Sequence, residues 1–364
     1  MNIVWYSEIK WDYLKTRKQH LLTHFLETDE ILFFQPFSLR GSNPFFVRRY
    51  KNIRYITLPV YRPSSMTWLN NAFNHIFLRK ILYLLVSLWE KLIIRIVLGG
   101  SPDRYVFSNI FSLPLAGKKS NCSWDYNDDP EQFGPQPDWA LSLLSEFLAN
   151  PNNKIVACSQ FLSTHLENTY KRTVHHIPNG VSIKDFANRC TDMPFPERRI
   201  LGYIGVISAW FFDFDLVKKI AASNPDYEIQ LYGPVDRNAQ TEVDILSSIP
   251  NLKVFPPVPY PDISLVMNTF RVGLVPLKSI PKVWQAASAK YLQYLAAGIP
   301  VVSTFMEQFV GLSHRAFMSK THDEMLADIQ KALEIDTLET LPSLSDYDWQ
   351  ALSHKFRNTI ADST

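Results

Sequence analysis

Cysteine is scarce, with only Cys122, Cys158 and Cys190 in 364 residues. No two of them have the close spacing of zinc ligands, and three separated thiols cannot build a disulfide framework, so the usage fits a reducing compartment. Long hydrophobic runs are missing as well. The most apolar stretch, residues 72–99, is broken by Arg79, Lys80, Glu90, Lys91 and Arg95, and its longest uncharged run is Ile81 to Trp89. A bilayer-spanning helix needs about 20 apolar residues, so this one does not span. The start, MNIVWYS, reads as a strand without a basic n-region or small-residue cleavage site, and the chain is expected to stay in the cytosol. Low-complexity tracts are absent, and 46% hydrophobic with 20% charged residues describes a globular chain long enough for two domains.

The net charge of +2 is small but unevenly spread. Residues 1–120 hold 17 Lys/Arg against 7 Asp/Glu, leaving the remainder net acidic. A basic front half points to an anionic partner. Residues 72–99 fit a buried helix of the first domain. They also fit an interfacial helix whose cations meet anionic headgroups while Trp89 and its leucine neighbours enter the acyl boundary. With RRYKNIR (48–54), this makes residues 48–98 the expected contact with an anionic membrane surface, peripheral on the inner face. Nucleic acid is not expected, because no recognised binding motif accompanies the charge.

Short apolar runs alternate with helical segments, as in parallel sheets covered by helices. In the first half the strands are NIVWYS (2–7), EILFFQ (30–35), RYITLPV (54–60), YVFSN (105–109) and KIVACS (154–159), with a helix from Tyr13 to Leu26. A second series begins near 199 with RRILGYIGV, YEIQLYGP, NLKVFPPV, FRVGLVPL, IPVVST and AFMSK. Helices are expected at 213–223, 237–248, 286–297 and 322–335. The Pro/Asn/Gly-rich segment 178–198 reads as a linker. The expected organisation is an N-terminal domain 1–180, a C-terminal domain 199–345 and a terminal helix 346–364 with Trp349, Leu352 and Phe356 on its packing face. Ligands of such open sheets bind at the carboxyl ends of the strands.

The most informative segment is SAKYLQYLAAGIPVVST (288–304). Ser288 stands at the expected N-cap and Gly298 closes the helix. Ala286, Lys290, Gln293 and Ala297 share one face. Free N–H groups at the helix start, a lysine and small alanines suit a diphosphate, and Gln293 suits a ribose hydroxyl. An ordinary amphipathic helix with a solvated lysine fits the same residues.

This segment resembles the donor-binding signature of bacterial GT-B glycosyltransferases, the broad group around glycosyltransferase family four. LGYIGVISAWFFDFDL (201–216), QLYGPVD (230–236), VPYPDISLVMNTFRVGLVPLK (258–278), WDYLKTRKQHL (11–21), CSWDYNDDPEQFG (122–134) and VACSQFL…IPNGV (156–181) are similar to further stretches of that group, in order along nearly the whole chain. The resemblance implies an α/β GT-B fold, two Rossmann-like domains facing across a cleft, with the C-terminal helix packing back on the first. It implies transfer of a sugar from a nucleotide-sugar donor to a saccharide or lipid-linked acceptor in cell-surface polysaccharide or glycoconjugate synthesis. No cofactor and no metal are expected.

In the donor site so implied, Gly205 lets backbone approach the diphosphate, while Tyr232, Gly233, Val258 and Tyr260 border the nucleobase. Lys278 and Lys290, with Lys282 in reserve, offset phosphate charge, and Ser288 and Gln293 complete the set. Gln285 and Gln293 stand where relatives carry two glutamates, and Ile207, Ser208, Ala209 and Trp210 stand where many carry an Arg and a Lys. Inversion and retention both stay open. The expected bases are His20, whose imidazole titrates near neutrality, and Asp128 and Asp129 in a polar turn. Asp213/Asp215 and Asp346/Asp348 have metal-binding Asp-x-Asp spacing but read as capping carboxylates. A sugar-nucleotide epimerase or hydrolase, and a non-catalytic nucleotide-sugar binder, are the alternatives.

Overall fold

The computed structural model describes residues 1–12, 15–38, 43–60, 71, 73–117, 119–133, 135–187, 193–285, 288–339 and 342–362. The chain divides into two compact units, Met1–Pro178 with Leu352–Thr364, and Asn179–Ala351. From Asn179 onward the segment expected as a linker falls in the second unit, where the Val181 N–H donates to the Tyr347 carbonyl at 2.9 Å. Cys190 and Ala286 lie outside the described residues, as do Tyr13 and Leu14 of the first expected helix.

The first unit is built on an eight-stranded sheet: β1 (Asn2–Tyr6), β2 (Glu30–Pro36), β3 (Arg48–Tyr50), β4 (Ile53–Leu58), β5 (Arg104–Phe107), β6 (Cys122–Tyr126), β7 (Lys154–Ala157) and β8 (His175–His176), in the order β3-β4-β2-β1-β5-β6-β7-β8. Ile3 lies opposite Ile31 on one side and Arg104 on the other. The central strands are apolar at successive positions because helices cover both faces of a parallel sheet. Only β3 runs antiparallel, paired with β4. RRYKNIR is thus a hairpin, turned at Lys51 with φ 53°, a left-handed residue that neither Gly nor Pro announces.

Around this sheet lie α1 (Arg17–Thr23), α2 (Ile76–Leu98), α3 (Asp138–Ala149) and α4 (Gln160–Tyr170). A Thr16–Gln19 capping box starts α1, which is shorter than expected. Gly99, left-handed at φ 71°, ends α2. Buried Cys122 and Cys158 are free thiols, each pushed up to about 12 by burial, and so are packing groups rather than nucleophiles.

The second unit has a six-stranded parallel sheet of β9 (Ile200–Ile204), β10 (Glu228–Tyr232), β11 (Leu252–Phe255), β12 (Val272–Val275), β13 (Val301–Thr304) and β14 (Ala316–Ser319), ordered β11-β10-β9-β12-β13-β14. Its helices include α5 (Phe214–Ser223), α6 (Gln240–Leu246), α7 (Ala289–Ala296) and α8 (His322–Glu334). Gly298 follows α7 at φ 75°, the left-handed geometry expected of its closing residue.

The last helix, α9 (Trp349–Ala361), carries the chain from the second unit back into the first at Leu352. Trp349, Leu352 and Phe356 are all buried, as their spacing predicts. In the first unit Phe356 stacks on Trp5 at 5.5 Å, and Arg357 donates to both carboxylate oxygens of buried Asp29 at 2.6 and 2.8 Å. Burial opposes ionisation of Asp29, but Arg357 and the N-terminal ammonium hold its carboxyl below the usual value.

Candidate functional site

In the second unit the strand order reverses between β9 and β12, since β10 and β11 lie on one side of β9 while β12 to β14 lie on the other. The crevice at the carboxyl ends of these strands is where such sheets bind ligands. The loop after β9 starts with Gly205, whose N–H donates to the Tyr232 carbonyl at 2.8 Å, and Gly233 follows β10 with φ 154°. A Cβ on Gly233 would stand 1.8 Å from the Gly205 carbonyl oxygen, so the two turns touch backbone to backbone. Tyr203 Oη holds the loop by donating to the Val206 carbonyl at 2.8 Å.

The Tyr232 ring stacks on Phe255 at 4.5 Å, and its hydroxyl donates to Gln230 Oε1 at 2.7 Å. Tyr260, half-buried, packs against the same apolar cluster as Tyr232 and meets the edge of Phe186. Val258 is half-buried on the segment leading to it. Lys278 is already engaged: its Nζ donates to the Ala209 carbonyl at 2.5 Å and its N–H to the Phe211 carbonyl at 2.7 Å. It ties the segment after β12 to the glycine loop, and Lys282 stands exposed nearby in sequence.

The helix α7 is pinned to β9 by Tyr294. Its buried hydroxyl accepts from the Ile204 N–H at 3.1 Å and donates to the Gly202 carbonyl at 3.2 Å. Lys290 lies one turn nearer the helix start on that same face. Loss of solvation holds its ammonium below the usual lysine value, and no hydrogen bond or ion pair engages it among the described residues. Gln293 is buried, and its Oε1 has no partner among the described residues. Ser288 occupies the N-cap position, as expected, and among the described residues its side chain makes no capping hydrogen bond. A poorly solvated lysine and an unsatisfied amide oxygen, on a helix that Tyr294 ties to the strand before the glycine loop, are costly unless a ligand meets them.

The first unit repeats the arrangement. Its order reverses between β1 and β5, and at the carboxyl ends of β1, β5 and β6 lies a pocket of ≈ 430 Å³ lined by Glu8, Ser108, Asn109, Asp125, Asn127 and Asp128 among others. Among the described residues Glu8 Oε2, Asp125 Oδ2 and Asn127 Oδ1 are buried without partners, three acceptors suited to hydroxyl groups. Buried Lys18 bonds Glu8 Oε1 at 2.5 Å, and Arg17 Nε bonds Asp125 Oδ1 at 3.0 Å. Burial would discharge Lys18, but Glu8 and Asp125 outweigh it and raise its pKa.

Of the expected bases, Asp128 is in this pocket. It keeps solvent access there, yet the surrounding protein raises its carboxyl above the usual value, with Lys18 opposing. Asp129 accepts from the Glu131 N–H at 3.1 Å, holding its own turn, and is not among the lining residues. His20 is not among them either; burial pushes its imidazole well below the usual value. Glu8, Lys18 and Asp125 were not singled out from the sequence. Their signal was position, just beyond β1, inside the WDYLKTRKQHL motif, and at the end of β6.

One carboxylate of each Asp-x-Asp pair caps. Asp213 accepts from the Leu216 N–H and meets His322 Nε2 at 2.8 Å, while Asp348 accepts from the Ile183 and Gln350 N–H groups. Among the described residues no group of three or more His, Cys, Asp or Glu is placed to hold a metal.

Two Rossmann-like domains, each with a polar site at its strand reversal, define the GT-B fold, and this chain has that fold. Sucrose-phosphate synthase from Thermosynechococcus elongatus superposes with a TM-score of 0.70 over 98% of both chains at 13% identity. Anabaena HepE, solved with UDP and glucose, superposes at 0.68 over 100% of both at 14% identity. In sequence, the chain is 29% identical over 139 residues to Bacillus subtilis (strain 168) TuaH, described as a teichuronic acid biosynthesis glycosyltransferase. That match covers 37% of this chain and 35% of TuaH. No family model matches the chain.

Proposed function

We propose that the protein is a glycosyltransferase that moves a sugar from a nucleotide-sugar donor to a saccharide or lipid-linked acceptor, without a metal ion. One observation carries this reading: the strand reversal of the second unit joins a glycine loop in backbone contact, Gly205 against Gly233, to a helix whose Lys290 and Gln293 Oε1 have no partner among the described residues. Backbone N–H groups and Lys290 seat the diphosphate, and Lys290 offsets the charge that grows on it as the sugar departs. Gln293 takes a donor hydroxyl. In the first unit, the unpartnered oxygens of Glu8, Asp125 and Asn127 take acceptor hydroxyls, and Asp128 accepts the proton of the attacking one. The TuaH likeness supports a cell-envelope polysaccharide or glycoconjugate as product. The excess positive charge of residues 1–120 supports a cytoplasmic protein peripheral on an anionic membrane surface, contacted through residues 48–98.

The test is a thermal-shift panel of UDP-, GDP-, TDP- and CMP-sugars, because a donor stabilises by mass action, by about 2.7 kcal/mol at 100-fold over Kd. Turnover is then followed with and without acceptor sugars and with chelator present. Donor consumed equally fast without acceptor would mean an epimerase or hydrolase, and binding without turnover a non-catalytic protein.

A further inference from the structure

The helix α2 turns one face inward, with Tyr83, Val86, Glu90 and Ile94 buried. Its opposite face is apolar as well. Phe77, Ile81, Leu84, Leu88, Leu92 and Ile96 recur at helical spacing and are between 41% and 68% exposed. At 3.6 residues per turn they occupy an arc of about 120° and run about 28 Å along the helix. Scattered exposed leucines are ordinary, but a continuous stripe of this length is a contact surface.

Its charge says what it contacts. Lys80, Lys91 and Arg95 are exposed on or beside the stripe. The helix's one acid, Glu90, is fully buried, accepting from the Tyr6 hydroxyl and paired with Lys119 at 3.1 Å. The outward surface thus carries cations and hydrocarbon and no acid. A second copy of this chain would bring the same cations against themselves. An anionic leaflet meets both features, hydrocarbon below and phosphate above. No helix among the described residues is long and apolar enough to cross a bilayer, so the contact is an interfacial one.

The geometry points to the outer face of α2 as a lipid-docking surface that lies flat on an anionic membrane, the stripe at the acyl boundary and Lys80, Lys91 and Arg95 on headgroup phosphates. This names the contact behind the membrane reading, and its test uses no sugar, so it and the transferase reading fail separately. The full chain is sedimented with phosphatidylcholine vesicles, with and without phosphatidylglycerol. It is expected to bind the anionic vesicles. Leu88→Glu with Leu92→Glu should cut that binding on the order of 100-fold, by keeping two leucines out of hydrocarbon. Replacing Lys80, Lys91 and Arg95 with alanine should also cut it on the order of 100-fold, at roughly fivefold per cation. The melting temperature in solution should hold in both, since these side chains are exposed. Equal binding to neutral and anionic vesicles, or unchanged binding by the charge variant, overturns the proposal. So does a dimer in solution, seen by light scattering, that the leucine variant dissolves.

Discussion

Replacing Gly233 with alanine tests the backbone contact on which the second unit's site is built. The new Cβ would stand 1.8 Å from the Gly205 carbonyl oxygen, while real Cβ atoms essentially never come closer than 3.0 Å, so the two turns must open by about 1.2 Å. Neither side yields cheaply, because both are backbone. Gly205 N–H is bonded to the Tyr232 carbonyl at 2.8 Å and Gly233 N–H to the Phe255 carbonyl at 3.2 Å. Forcing alanine to φ 154° adds strain of about 1–3 kcal/mol, and the overpacking adds about 1–3 kcal/mol more. At about 2–4 °C per kcal/mol for a domain of this size, the second unit should melt roughly 5–20 °C lower by calorimetry. Gly311→Ala is the control, with φ 75° and nothing within 4 Å, and should cost only about 1 kcal/mol. Equal losses in the two variants, or a Gly233→Ala protein that melts with the wild type, would show that the turns do not touch as described.

Lys290→Met should raise the dissociation constant for the cognate nucleoside diphosphate about 10- to 100-fold, the worth of a charged hydrogen bond, without lowering the melting temperature of the free protein. Calorimetric titration reads the affinity and scanning calorimetry the melting temperature, and a large loss of stability would make Lys290 structural. Asp128→Asn should lower kcat by about 10²- to 10⁴-fold while the donor-induced thermal shift stays. In the wild type, activity should fall on acidification through the raised Asp128 pKa, and that acid limb should vanish with the asparagine. His20 should make the first unit acid-sensitive. Its folded-state pKa lies well below the unfolded one, so between the two the unfolded chain binds the extra proton, and stability falls as pH falls below about 6.5, by up to about 1.4 kcal/mol per unit. His20→Gln should flatten that slope in pH-dependent urea melts, and an unchanged slope would place the sensitivity elsewhere.

Much of the grouping at the second unit's strand reversal was legible in the chain because its parts are local. Gly205 and Gly233 each follow an apolar strand, and Lys290 and Gln293 sit on one short helix that Gly298 follows, so spacing alone groups them. Lys278 was legible as a cation but not as a tether, because its carbonyl partner belongs to Ala209 and only folding brings the two together. The first unit's pocket was less legible. Asp128 was picked from a polar turn, and its neighbour Asp129 looked the same in sequence, yet one lines the pocket and the other holds the turn.

Apolar periodicity, strand length and glycine placement are properties of neighbouring residues, and they determined two α/β domains, five of the eight strands in the first unit's sheet, all six in the second unit's, and the helix that carries Lys290. Tertiary structure decided what depends on distant residues. It set the strand orders that reverse at β1/β5 and β9/β12, and so which loops share a crevice. It also put Glu8, Lys18, Asp125 and Asp128 at one pocket. For residues 72–99 both faces read as apolar, and only the sheet could choose which one to bury, because a helix that is hydrophobic all round holds no record of the side its neighbours will cover.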